Sequence, residues 1–172
     1  MSLGEACTGK SCLIKRYCEK KFVSKYISTI GVDFGVRSVR HAGTELKVNL
    51  WDLAGAGELF DVRKEFHANA QGVMLVYDVH DAASFAALPR WMEEHRAQGG
   101  SPLVVVLCAN KCDAPEAGTP VPARRAVSEA EGRAYAGSNG FVYMETSAKS
   151  GQNVDQLFEA IFKGIAEKTP WG

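Results

Sequence analysis

Eight residues near the start, Gly4-Glu5-Ala6-Cys7-Thr8-Gly9-Lys10-Ser11, constrain the fold of this chain more than any other stretch. They match G-x-x-x-x-G-K-[ST], a loop that runs from a strand into a helix and cradles phosphate with its backbone N–H groups. Glycines let the backbone turn back so that successive amides converge on an anion. Lys10 then reaches the β- and γ-phosphates, and the Ser11 hydroxyl binds Mg²⁺. The helix expected from Ser11 to Cys18 turns its positive N-terminal end to the same anion. Only Met1-Ser2-Leu3 precedes the loop, so the strand expected at the centre of the sheet is truncated to a stub. Alone, the loop says phosphate and no more. The base and the chemistry must come from the rest of the chain.

Beyond Phe22, residues 22–30 are polar and irregular, as in a loop. Asp33 to His41 and Glu45 to Trp51 flank Ala42-Gly43-Thr44 and read as a hairpin. Val73 to Tyr77 and Leu103 to Ala109 are nearly continuous apolar runs, the habit of strands covered by helices on both faces, and Phe141 to Glu145 is a shorter relative. Helices are expected over 58–69, from Pro89 through Trp91 and Met92 to Arg96, and from the capping box Ser128-Glu-Ala-Glu131 towards Ser138. The last one carries Val154, Leu157, Phe158, Ile161, Phe162 and Ile165 as one apolar stripe, which predicts core packing. Strands alternating with helices after a hairpin give an α/β domain with a mostly parallel sheet, and no repeat or second domain interrupts residues 1–172. The stretch 114–125, with three prolines, is a surface loop.

Ligands of open parallel sheets bind beyond the carboxyl ends of the strands, and three strand ends carry chemistry. After the 103–109 run comes Asn110-Lys111-Cys112-Asp113. The Asp113 carboxylate can accept from the N1–H and N2–H₂ edge of guanine, whereas adenine would leave it unpaired. After the 141–145 run comes Thr146-Ser147-Ala148-Lys149, where a backbone N–H meets guanine O6 and the lysine stem covers the base. After Trp51 comes Asp52-Leu53-Ala54-Gly55, placing a carboxylate where it can order the water shell of Mg²⁺ and a glycine N–H near the γ-phosphate. Each tetrad alone is more often an ordinary turn. Together, in order and at strand ends, they point to a guanine nucleotide and oppose an adenine-using kinase.

On these motifs the sequence resembles the Ras superfamily of small GTPases over Leu3 to Lys168. Thr29-Ile-Gly-Val-Asp-Phe34, with Trp51 before the D-x-x-G, is similar to Rab members. Lys15 to Tyr26, Val62 to Phe66, Gln71 to Val73 and Cys108 to Lys111 resemble the RBJ subgroup, Rab-like proteins with an added J domain; no His-Pro-Asp triad of such a domain occurs here. The resemblance implies a P-loop NTPase fold: three α/β/α layers around a six-stranded, mostly parallel sheet with one antiparallel edge strand. It implies GTP or GDP with Mg²⁺ and protein effectors and regulators at two switch segments. Phosphate would meet Ala6, Cys7, Thr8, Gly9, Lys10, Ser11, Cys12, Tyr26, Thr29 and Gly55. Guanine would meet Phe22, Asn110, Lys111, Asp113, Ser147, Ala148 and Lys149. Ser11, Thr29 and, through water, Asp52 would hold the metal.

Two departures matter. Ala56 stands where most of the superfamily has a water-orienting glutamine, and a methyl group cannot position a nucleophile. No catalytic residue is therefore assigned, and slow hydrolysis is expected, with a nucleotide-locked scaffold as the alternative. The chain also ends Lys168-Thr-Pro-Trp-Gly172 without the usual lipid-accepting cysteines, so no intrinsic membrane anchor is visible. Lysine plus arginine and aspartate plus glutamate balance at 20 each, which gives no bulk charge for nucleic acid. Five cysteines without zinc spacing suit a reduced, intracellular, cytoplasmic protein that is peripheral to membranes through its partners. Cys112, inside the guanine motif, is read as a packed thiol ahead of a redox-sensitive one. The four histidines read as surface or packing residues.

Overall fold

The computed structural model describes residues 1–22, 29–41, 43–55, 61, 64–113 and 124–169. Alternation along strand β4 (Gly72–Asp78) shows why the chain forms three layers. Successive side chains of a strand point to opposite faces. Val73, Leu75 and Tyr77 enter one core with Leu3, Leu53, Leu88, Trp91 and Leu107. Met74 and Val76 enter a second with Leu13, Tyr17, Val106, Leu157 and Phe158.

Around β4 the elements run β1 (Ser2–Leu3), α1 (Lys10–Glu19), β2 (Val32–His41) and β3 (Thr44–Leu53), then β4, α2 (Ala82–Ala86), α3 (Leu88–Ala97) and β5 (Val104–Asn110), and last α4 (Glu129–Asn139), β6 (Val142–Thr146) and α5 (Val154–Lys168). The strand order is β2-β3-β1-β4-β5-β6, with only β2 antiparallel to its neighbour. Helices α1 and α5 cover one face; α3 and α4 supply the buried residues of the other.

Two-residue β1 pairs on both sides, Ser2 opposite Asp52 and Met74, and Leu3 opposite Leu75. The chain leaves β1 towards β2 and β3 and returns to β4 on its other side. That reversal makes the crevice beyond β1 the switch point where ligands of open sheets sit.

Three local expectations meet their geometry. Ser128 and Glu131 form both bonds of the capping box, proline occupies the first turn of α3, and the stripe on α5 is buried at Val154, Leu157, Phe158 and Ile161. Of the helix expected over 58–69, the described residues give helical Asp61 and a 3₁₀ turn at Lys64–Phe66, and 58–60, 62 and 63 lie outside them. Helix α2 had no sequence signal because five residues hold too few turns to show a period; Asp81 starts it by accepting from the Ala83 N–H at 2.9 Å.

Candidate nucleotide site

The phosphate loop leaves β1 at Leu3 and enters α1 through Gly9, whose φ of 94° is left-handed. A Cβ on Gly9 would sit 2.3 Å from Asn110 Nδ2, so only glycine fits between the loop and the end of β5. No side chain caps α1, which leaves first-turn N–H groups for an anion. Lys10 is buried, and its ammonium donates to the carbonyls of Gly4 at 2.8 Å and Glu5 at 2.9 Å. The Thr8 hydroxyl donates to the same Glu5 carbonyl at 2.9 Å. The Glu5 carboxylate accepts from the Trp91 indole at 2.8 Å and pairs with Arg90, which ties the loop to α3.

Three oxygen groups from separate segments meet beside Lys10. Ser11 Oγ and Thr29 Oγ1 are 2.8 Å apart, and Thr29 donates to Asp52 Oδ2 at 3.4 Å. Asp52 is buried at the end of β3, and its other oxygen accepts from the Ser2 hydroxyl at 3.0 Å. Hydroxyls and a carboxylate are the hard oxygen donors Mg²⁺ takes, and that ion is completed by water and substrate phosphates rather than a full protein cage. The residues present therefore fit the metal. No cluster of three or more His, Cys, Asp or Glu suited to a metal occurs among the described residues. Gly55 lies directly on the phosphate loop: a Cβ there would stand 2.4 Å from the Ala6 nitrogen and 2.7 Å from Lys10 Nζ.

At the base end, Asn110 is buried and acts as a bolt. Its amide donates to the Thr8 carbonyl at 2.8 Å, and its oxygen accepts from the Thr146 hydroxyl at 3.2 Å and the Ala148 N–H at 3.3 Å. An asparagine has two donors and two lone pairs; three of these four serve the protein. Lys111, with a left-handed φ of 65°, pairs with Asp78 at 2.7 Å. Asp78 also accepts from the His80 N–H at 2.9 Å and approaches its ring nitrogen at 3.2 Å. Ser147 is buried and its hydroxyl accepts from the Ser150 N–H at 3.0 Å. The carbonyls of Ala148 and Lys149 receive the guanidinium of Arg16 from α1.

Asp113 and Cys112 are half-buried beside these groups. Burial first, then the nearby carboxylates of Glu145 and Asp113, pushes the Cys112 thiol up to about 11. That favours the packed thiol over a redox-active thiolate. Burial pushes Cys108 up to about 12. Phe22, beyond the end of α1, is 37% exposed. Ala6 and Cys7 are exposed and Cys12 half-buried. Tyr26 and Ala56 lie outside the described residues.

Sequence reasoning missed Arg16, Asp78 and the Glu5 link to α3. Applying the strand-end rule to β4 as well would have found Asp78. Arg16 and Glu5 act on residues 132 and 86 positions away, and no local pattern marks them.

Known proteins give the same direction. The family model described as "Ras family" matches residues 1–167. The chain belongs to the Ras family. Among curated relatives of this small GTPase, DnaJ homolog subfamily C member 27 of Danio rerio is 46% identical over 97% of the chain and 60% of the relative. The Homo sapiens protein of that name is 44% identical with the same coverage, and member 27-B of Xenopus laevis is 43% identical over 97% of the chain and 61% of the relative. The chain spans about 60% of the length of these relatives. Their DnaJ designation agrees with the resemblance to Rab-like proteins that carry a J domain.

Beside the site, three rings from different segments form a surface row. Phe34 lies 5.6 Å from Trp51, and Trp51 lies 4.8 Å from Phe66, centroid to centroid. Phe34, Val36 and Ile30 are exposed. No helix among the described residues is long and apolar enough to cross a membrane.

Proposed function

We propose that residues 1–172 form one GTPase domain that binds GTP and GDP with Mg²⁺ and acts as a Rab-like switch with slow intrinsic hydrolysis. One observation carries the reading: Thr29, Ser11 and Asp52, from three separate segments, meet within hydrogen-bonding reach beside the phosphate-loop lysine. A metal and γ-phosphate at that point would hold the Thr29 segment and the segment beyond Asp52 together, and their release on hydrolysis would free both. Mg²⁺ would supply charge neutralisation at the phosphates. Ser11 and Thr29 would hold it, Asp52 would order its water, and Lys10 would exchange the Gly4 and Glu5 carbonyls for phosphate oxygens. Asp113 selects guanine, because its acceptors match the N1–H and N2–H₂ pair and leave adenine without one.

Protein partners read the state on the ring row Phe34–Trp51–Phe66 and the exposed Ile30 and Val36. Exposed aromatic and aliphatic side chains beside two switch segments suit the apolar centre of a protein interface. The protein works inside the cell and reaches membranes through such partners.

Slow hydrolysis rests on Ala56. Single-turnover hydrolysis of loaded GTP is expected to be slow, and Ala56→Gln to raise it about tenfold or more by positioning water. A rate equal to that of a glutamine-bearing relative would contradict slow turnover. Hydrolysis absent even in Ala56→Gln would favour a nucleotide-locked scaffold.

A further inference from the structure

We propose that Arg16 is a positioning residue that sets the guanine slot, and the proposal rests on the guanine-nucleotide reading above. Its guanidinium uses one edge for the base loop and its end for α1. Nε donates to the Ala148 carbonyl at 2.8 Å, and Nη2, on the same edge, donates to the Lys149 carbonyl. Nη1 donates to the Lys20 carbonyl at 3.3 Å.

The two loop carbonyls belong to the peptide planes on either side of the Lys149 Cα. Fixing both planes fixes the backbone of Lys149 and hence the direction in which its side chain leaves. A planar fork does this with one side chain; an ammonium has no such edge. The Ala148 N–H, which we take as the backbone donor to guanine O6, lies one peptide upstream of the pinned pair. Without a ligand it donates to Asn110 Oδ1 at 3.3 Å, a long bond that guanine O6 would share or take over.

Lys20 is the C-terminal cap of α1, with a left-handed φ of 57° and its N–H on the Arg16 carbonyl. Phe22 follows two residues later. Arg16 thus ties the base loop to the end of α1 that leads to Phe22. The exposed ion pair Lys20–Asp155 adds little to this, since both side chains are 57% exposed.

The test compares GDP with the diphosphate of 2-aminopurine riboside, which lacks O6 and with it the N1–H, on wild type, Arg16→Lys and Arg16→Ala, each ligand's release being referred to its own wild-type rate. Dissociation is followed by stopped flow and folding by thermal melting. Losing charge-assisted bonds to two carbonyls is expected to speed GDP release by about tenfold in Arg16→Ala. Release of the analogue without O6 is expected to change by less than about threefold, because the misplaced Ala148 donor no longer matters to it. Arg16→Lys is expected to recover only part of the loss. If Arg16→Ala does not fold, Arg16→Lys carries the test, with the same bias towards GDP. Equal acceleration of both ligands, or GDP release within about twofold of wild type in both variants, would overturn the proposal while leaving nucleotide binding standing. Wild type that binds neither GDP nor GTP would instead overturn the nucleotide reading, and this proposal with it.

Discussion

At the phosphate end, Lys10 lies on the carbonyls of its own loop and Ser11, Thr29 and Asp52 engage one another. At the base end, the loop that would meet guanine is held by residues outside it, Arg16 from α1 and Asn110 from β5. The first arrangement must exchange partners when phosphate and metal enter, so its polar groups are satisfied in two ways. The second is already held in the ligand-free structure by groups from other elements, which preorganises it for the base. The difference separates two tasks: the end that reports the phosphate state has to move, and the end that chooses the base has to stay put.

Variants at the two ends should therefore fail differently. Lys10→Ala should produce the largest effect, a loss of about 4 kcal/mol or more in affinity for every nucleotide tested, because charge-assisted bonds to phosphate oxygens carry no base information. Titration with fluorescent GDP on the wild-type background and with the xanthine diphosphate on an Asp113→Asn background checks it, and a loss confined to one base would break the comparison. Asp113→Asn should cost about 3 kcal/mol for GDP but strengthen binding of the xanthine nucleotide, whose C2 carbonyl faces an acceptor in wild type and can accept from the new amide. A uniform loss across bases would place Asp113 in the scaffold instead.

A smaller effect should come from the buried histidines next to the Lys64–Phe66 turn. His67 and His95 are both fully buried, with their Nδ1 atoms 2.9 Å apart, and Glu94 stands 3.7 Å from His67 Nε2. Burial first, then the neighbouring His67, lowers His95 to about 4. The native state therefore resists a proton that the unfolded chain takes up near 6.5. Stability is intact above pH 6.5 and falls as pH drops through the window towards 4, by at most about 2 kcal/mol between pH 6.5 and 5. Urea unfolding at the two pH values measures it; His95→Gln should flatten the slope, and an unchanged slope would remove His95 from the account. The smallest expected effect is at Cys112. With its thiol near 11, alkylation at pH 7.5 should be slower than for an unperturbed cysteine and rise as pH approaches 11. Rapid labelling at neutral pH would show that the base end opens.

Much of this was legible in the chain. Apolar runs bounded by N-K-C-D and T-S-A-K fixed two strands and the loops beyond them, because burial by helices on both faces leaves a continuous apolar signature. Two-residue β1 was readable only through the loop that must follow it. The sheet reversal that brings Ser2 against Asp52 was not readable, since register across separate strands leaves no local trace. The same holds for Arg16. It reads as a helix-surface cation in a basic stretch, and only the fold turns its fork towards Ala148 and Lys149. Asn110 was legible as a site residue, but its role as a bolt to Thr8 was not.

Guanine nucleotide is the proposed occupant of this site. Nucleotide extracted from the purified chain and identified by chromatography is the most direct measurement. Guanine nucleotide at close to one per chain, with GTP in excess of GDP as the proposed slow turnover requires, is the expected result. Adenine nucleotide, or an empty site that neither GDP nor GTP can fill on titration with Mg²⁺, would contradict it.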